Sequence, residues 1–438
     1  MQNSRRVVIT GMGTVTPHAD DVEVLFAKLC EGTSAVGRIS QFDPTGLPAQ
    51  IAAEVTYEVT GPAQVGIYPC TSRTMRFVTA AAQRCLADAG LDGALASDDP
   101  ARGLRAVHLS SGVGSTAMEA LGPLTLGVWG SPDTDGKRDL VALRRAIATH
   151  PETARQVEDW FCDFAAPALA VMFSAERIST AASACASGSH AIMDAVHMIR
   201  LGHVNQVLTG GVCTPITRSM MPGFAMLSAL STSNDDPQGA SRPFDAGRNG
   251  FIMGEGSSLM MLEELESAKA RGARIHGEIL GVGIATDAYR LTDPEPTGRG
   301  MGEAMRRALT DARLTTENVD YINAHGTSTK LNDAAETRAV KATFGARAYD
   351  IPMSSTKSMF GHLIHAAGIT EAIVCTKTLQ TGVITPTINY ETPDPECDLD
   401  YVPNTARRAR VRVAMNNSFG FGGQNVSVLI GAYEGGQA

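Results

Sequence analysis

ISTAASACASGSHAIMDAV, residues 178–196, has a second version in IPMSSTKSMFGHLIHAAGITEAI, residues 351–373. Each opens on a β-like entry, crosses a loop of small residues and a glycine, and continues as a helix. AVHLSSGVGST (106–116) and VDYINAHGTST (319–329) likewise pair a strand with a small-residue loop. The pattern predicts two copies of one unit, meeting near LEELESAKARGARIHGEILGVG (262–283) and dividing the chain into residues 1–265 and 266–438. Duplication of this kind brings two loop sets to one cleft.

Working outward, short Val/Ile/Leu runs such as RRVVIT (5–10), VNQVLTGG (204–211) and NVSVLIGA (425–432) alternate with helix-patterned stretches such as SRTMRFVTAAAQRCLADAGL (72–91) and GRGMGEAMRRALTDARL (298–314). That alternation predicts an α/β fold with largely buried sheets. The least regular region, roughly 118–165 and including WGSPDTDGKRD (129–139), reads equally as a cap over a site or as a surface excursion.

A chain of 438 residues can bury a sizeable core without staples. Its eight cysteines show neither CxxC nor zinc-ligand spacing, so they read as reduced thiols in a cytoplasm. No segment has the ~18 consecutive apolar residues of a membrane span. The net charge of −9 disfavours nucleic acid and anionic membranes as partners.

Cys185 stands at the start of the helix-like ACASGSHAIMDAV. A helix N-terminus favours thiolate, and small neighbours let a long substrate reach the sulfur. The residue types leave both a nucleophile and a packed thiol open. His325 in NAHGTST and His362 in SSTKSMFGH follow small-residue loops at the same end of the repeated unit. One Cys and two His that converge form a nucleophile with proton-handling and anion-stabilising partners. In NNSFGFGGQN (416–425), Gly420, Gly422 and Gly423 surround Phe421, and such a loop can offer backbone N–H groups to an oxyanion.

Taken together, ACASG, NAHGTST, SSTKSMFGH and NSFGFGG, in this order, resemble the β-ketoacyl-(acyl-carrier-protein) synthases, elongating condensing enzymes of the thiolase superfamily. The resemblance implies a thiolase fold: two βαβαβαββ halves in a five-layer αβαβα sandwich, two sheets sharing a central helical layer. It implies that Cys185 carries the acyl group, with the backbone N–H groups of Cys185 and Phe421 as oxyanion hole, and that His325 and His362 bind the malonyl thioester and promote decarboxylation. Lys357 and Glu336 match a supporting ion pair, Thr327 and Thr329 hold the phosphopantetheine arm, Phe421 gates the site, and Phe224 and Phe419 contact substrate. No metal or cofactor is implied, since phosphopantetheine arrives on the acyl carrier protein. The implied partners are that carrier and, for a dimer, a second copy or a chain-length factor.

Arg73 and Arg76 are the carrier-docking candidates, with Lys137 and Arg138 behind them. The chain departs from the family pattern at Ser228, at His365, where Gly is usual, and at Gln424. Features such as PDPECDLDYVP (393–403) also resemble ketosynthase α subunits of polyketide systems. Two other readings compete: a non-catalytic chain-length-factor subunit, which would replace the nucleophile, and a thiolase, which needs a second C-terminal cysteine that neither Cys375 nor Cys397 is placed to supply.

Overall fold

A computed structural model describes residues 5–91, 103–111 and 164–435. The irregular stretch with Lys137 and Arg138 lies outside the described residues.

The first half supplies strands β1 (Val7–Val15), β2 (Arg105–Ser111), β3 (Arg177–Ala181), β4 (Gln206–Cys213) and β5 (Gly256–Glu264). The second supplies β6 (Gly277–Thr286), β7 (Tyr321–Asn323), β8 (Met353–Ser354), β9 (Val413–Gly420) and β10 (Gln424–Gly431). Their spatial order is β3-β2-β4-β5-β1-β6-β10-β9-β7-β8, a palindrome once each strand is matched to its counterpart five places on. In each half four strands run in one direction and one, β5 or its counterpart β10, runs antiparallel to them. The duplication read from the loops is therefore present in the topology. One feature differs from the expectation of two sheets: β1 and β6 pair through Val7, Val8 and Ile9, which joins the halves into one ladder and closes two edges that would otherwise lie open.

The same duplication fixes how helices seat on the sheet. A Cβ at Gly13 would lie 2.1 Å from the Ala81 carbonyl, and one at Gly283 would lie 2.2 Å from the Ala304 carbonyl. These glycines let α1 (Arg73–Asp88) and, in the second half, a helix at 299–312 press directly against their strands.

Five layers follow from which face each strand buries. In β5, Met260 and Leu262 turn inward, where they meet Ile192 and Val196 of a helix at 187–200 and Ile369 and Ile373 of a helix at 367–381. Leu259 and Met261, on the other face, meet Phe77 and Val78 of α1 and Leu169 of α2 (Ala165–Phe173). The central helices are α3 (Ser187–Arg200) and, later in the chain, the one at 367–381. The outer helices of the second half are α4 (Arg299–Ala312) and α5 (Lys330–Phe344), which pack on Ile322, Met415 and Leu429. The second central helix is then α6 (Ala367–Thr381). Period-2 strands with apolar residues on both faces require helices on both sides, as seen. Among the described residues, no helix is long and apolar enough to cross a membrane.

Candidate active site

Cys185 sits in a tight turn, Ala184–Ala186, that leads into α3. Ala184 adopts φ 48°, a left-handed conformation that aims the next residue across the helix end. The loop after β9 closes on this turn. A Cβ at Gly420 would lie 2.8 Å from the Ser183 carbonyl and 3.2 Å from the Cys185 nitrogen, so only glycine allows the approach. The backbone N–H groups of Phe421 and of Cys185 itself point to the sulfur.

The thiolate expected from the helix N-terminus does not dominate. Burial pushes the Cys185 thiol up to about 11, and the two N–H groups and the Lys357 charge recover only part of that cost. Cys185 is a neutral thiol at neutral pH.

His325 follows β7, and its loop is held by one buried carboxylate. Glu336 accepts the N–H of His325 at 2.9 Å and that of Gly326 at 2.8 Å. His362 is fixed differently: its backbone N–H donates to the Ile252 carbonyl at 2.7 Å, and its carbonyl accepts from Gly254 at 3.0 Å. The imidazole rings lie 5.4 Å apart at 82°. Burial first, then the Lys357 charge, holds both well below the ordinary histidine range, so both are neutral.

The tautomer of His362 follows from its surroundings. The Ile364 N–H donates to Nδ1 at 3.3 Å, so the ring proton sits on Nε2. That Nε2 is buried without a hydrogen-bond partner among the described residues, as is Nδ1 of His325.

Lys357 does not pair with Glu336 as the resemblance implied. Its Nζ contacts Glu371, in the middle of α6, and both groups are buried. Glu336 is occupied by the two loop N–H groups, which makes it a positioning residue for His325. Burial raises Glu336 and Glu371 alike to about 7, against the pull of those N–H groups in the first case and of Lys357 in the second.

Cys185, His325, His362, Thr327, Thr329, Phe419, Gly420 and Phe421 converge on one cavity of ≈ 380 Å³. Thr327 and Thr329 share a hydroxyl hydrogen bond of 2.9 Å on its wall, and Ser228 lies at the same cavity. Gly422 adopts φ 79°, and its N–H donates to the Leu291 carbonyl at 2.7 Å, fixing the loop and leaving it no part in the oxyanion hole. Phe224 stands elsewhere: it meets Phe251 edge-on at 6.0 Å, in the apolar cluster that includes Cys185 and Cys213.

Arg73 is not available for docking. Its guanidinium binds the fully buried Glu255, with Nε donating at 2.7 Å, and also donates to the Val55 carbonyl at 2.7 Å. Arg76 is exposed and does not line the cavity. The sequence reading also missed RPFDAGRNG (242–250): Arg248, buried, donates to the carbonyls of Thr329 at 3.3 Å and Lys330 at 3.1 Å and so anchors the threonine loop.

A buried thiol facing two backbone N–H groups, beside two neutral imidazoles on a duplicated five-layer scaffold, defines the class of thiolase-fold condensing enzymes. The chain belongs to the β-ketoacyl synthase family: that family's N-terminal domain matches residues 4–268 and its C-terminal domain residues 276–391. It is 38% identical over 432 residues to 3-oxoacyl-(acyl-carrier-protein) synthase 2 of Synechocystis sp., covering 98% of this chain and 99% of the other. Among solved structures, a type II PKS ketosynthase in complex with its acyl-carrier protein and bound to the hexaketide superposes with a TM-score of 0.85 at 29% identity, covering 98% and 100% of the chains. The ishigamide ketosynthase/chain length factor superposes with a TM-score of 0.83 at 32% identity, over the same shares.

Proposed function

We propose that this chain catalyses decarboxylative Claisen condensation of a malonyl group on an acyl carrier protein with an acyl chain held on Cys185, in fatty-acid or type II polyketide synthesis. In the first half-reaction the Cys185 sulfur attacks the acyl thioester, the carrier's thiol departs, and the Cys185 proton goes to that leaving thiolate. The acyl oxygen turns toward the N–H groups of Cys185 and Phe421, where negative charge develops.

In the second half-reaction the malonyl thioester carbonyl binds at His362 Nε2–H and His325. Loss of carbon dioxide leaves enolate charge on that oxygen, and donors already in place stabilise charge that exists only along the reaction path. The carbanion attacks the acyl carbonyl, a carbon–carbon bond forms, the carbon–sulfur bond breaks, and the Cys185 thiolate takes a proton from solvent. Burial keeps both imidazoles neutral, and the charge of Lys357, fixed by Glu371, adds to that. Thr327 and Thr329 line the route of the phosphopantetheine arm, which belongs to the carrier substrate, and Phe421 gates the cavity.

The observation that carries this reading is the tautomer of His362: an Nε2–H with no hydrogen-bond partner among the described residues, in the same cavity as the nucleophile. The test is intact-protein mass after incubation with acyl carrier proteins. An adduct that maps to Cys185 and is lost in Cys185→Ala supports the reading, whereas condensation by Cys185→Ala refutes it.

A second reading is a ketosynthase α subunit that acts only beside a chain-length factor, and it is favoured by the likeness to the ishigamide ketosynthase/chain length factor. Loading that requires an added partner subunit selects it. A non-catalytic role fits poorly with an intact Cys185, His325 and His362.

A further inference from the structure

The turn that presents Cys185 is strained at Ala184, φ 48°, and such a turn persists only where its surroundings fix it. Two buried serines fix it locally. Ser187 Oγ accepts the Ser183 N–H at 2.8 Å and donates to the Ala184 carbonyl at 2.6 Å, while the Ala186 N–H donates to the Ser183 carbonyl at 3.0 Å. A further tie leaves the turn: Ser183 Oγ lies 3.1 Å from Nδ1 of His190, in the first turn of α3.

His190 is itself held. Its Nε2 lies 3.8 Å from Asp194 Oδ1, and Asp194 Oδ2 lies 3.2 Å from Nε2 of the buried His108 on β2, whose Nδ1 is 2.6 Å from Ser179 Oγ on β3. Burial pushes the Asp194 carboxyl up, but the hydrogen bond from His108 and the nearby His190 charge bring it below its ordinary value. An ionised carboxylate only accepts, so the His190 nitrogen that faces it carries a proton. Nδ1 then accepts from the Ser183 hydroxyl in the neutral ring or donates to it in the cation, and the tie holds in both forms.

The internal repeat shows that the fold does not require this tie. The matching turn before α6, Ile364–Ala366, has the same strain, with Ile364 at φ 47°. There Leu363, Ala367 and Thr370 stand in place of Ser183, Ser187 and His190. Leu363 packs in an apolar cluster, and Thr370 donates to the Ala366 carbonyl at 2.7 Å, within its own helix. The polar ties belong to the copy that bears the nucleophile. Because the Cys185 N–H is one of the two donors facing its own sulfur, a small rotation of this turn displaces nucleophile and donor together.

We propose that His190, held by Asp194, is a positioning residue for acyl transfer, fixing through Ser183 the turn that sets both the Cys185 sulfur and its N–H. The inference rests on the condensing function proposed above. The experiment is Cys185 loading from a decanoyl pantetheine thioester, read by intact mass, beside carbon dioxide release from a malonyl pantetheine thioester in the same samples. His190→Ala and Ser183→Ala should each lower the maximal loading rate by about fivefold to tenfold with KM unchanged. The double variant should be no slower than the slower single, since both remove one bond. His190→Asn, which keeps a polar atom near the Nδ1 position, should load within about twofold of wild type, and His190→Gln, which reaches toward Nε2 instead, should be as slow as His190→Ala. Decarboxylation, which uses His325 and His362, should be unchanged and so reports that the variants are folded. Wild-type loading by His190→Ala, losses that multiply in the double variant, or an equal fall in decarboxylation overturns the inference and leaves the condensing reading standing. A wild type that does not load at all overturns that reading and the inference with it.

Discussion

Alkylation of Cys185 provides a sharp test, because the structure sets the two forces on its sulfur against each other. The helix end and two N–H groups favour thiolate; burial favours thiol and wins, leaving the group at about 11. At pH 7.5 the thiolate fraction is then roughly 3 in 10,000, against roughly 1 in 10 for an unperturbed cysteine. The higher pKa makes the thiolate more nucleophilic by roughly tenfold, so the net rate should be roughly twentyfold below that of a free thiol, before any loss of access is counted. The assay is the rate of iodoacetamide adduct formation at Cys185, read by peptide mass between pH 6 and pH 10. Only the thiolate reacts, so the rate should rise tenfold per pH unit over the whole range. A plateau above pH 8 would refute the reasoning, because it would mean that the N–H groups outweigh burial. A thiol at rest has a mechanistic consequence: the proton must leave in the same step that forms the acyl bond, which restricts reaction to a seated thioester.

Replacing His362 or His325 by Ala should lower malonyl decarboxylation by about 10²–10³, measured as carbon dioxide release; unchanged rates in both would remove them from the site. Glu371→Gln should leave the Lys357 charge buried without its counterion and lower the unfolding free energy by about 3–5 kcal/mol, with much of the loss recovered in a Lys357→Met, Glu371→Leu double variant. A denaturant series reads both. Burial takes His365 from an ordinary 6.5 down to about 4 in the folded chain. Its contribution is therefore fully present above the unfolded value and lost as pH falls toward 4, amounting to about 2 kcal/mol between pH 7 and pH 5. Wild type should lose that much stability relative to His365→Gln over the same interval, and parallel pH profiles would exclude it.

What the sequence made legible was what short spacing encodes. The small-residue loops around Cys185, His325 and His362 carry both the fold and the convergence of the site, because the need for close approach is written in Ala, Ser and Gly. Pairings across long separations left no such mark. Arg73 read as a surface cation because its partner Glu255 is 182 residues away and fully buried. Glu371 passed unnoticed inside an apolar helix, although one acid in GITEAIVC (368–375) was a signal that something must meet it. Glu336 was given to Lys357 because the sequence could not show that two backbone N–H groups already held it. The thiolate expectation failed for a related reason: the helix end is visible in sequence and the depth of burial is not.

The internal two-fold explains why this site needs both halves. Each copy of the unit offers one turn at a central helix N-terminus and one loop at the end of a strand, and the turn of each copy is closed by the strand end of the other. Cys185 is closed by Gly420 of the second half, and His365 by Cys213 of the first. The histidines that face Cys185 both come from the second half, from the loops after β7 and β8, so neither half alone contains a nucleophile and its partners. An insertion or truncation that loosens the β1–β6 seam separates them without touching any reacting group. The fold thus ties chemistry to the seam, and Gly188 and Gly368 are where that tie is tightest: a Cβ on Gly188 would lie 2.7 Å from the Ile369 nitrogen, and one on Gly368 would lie 2.5 Å from Ser189 Oγ. A single methyl group at either crossing must move one central helix, and with it either the nucleophile turn or the His362–His365 turn.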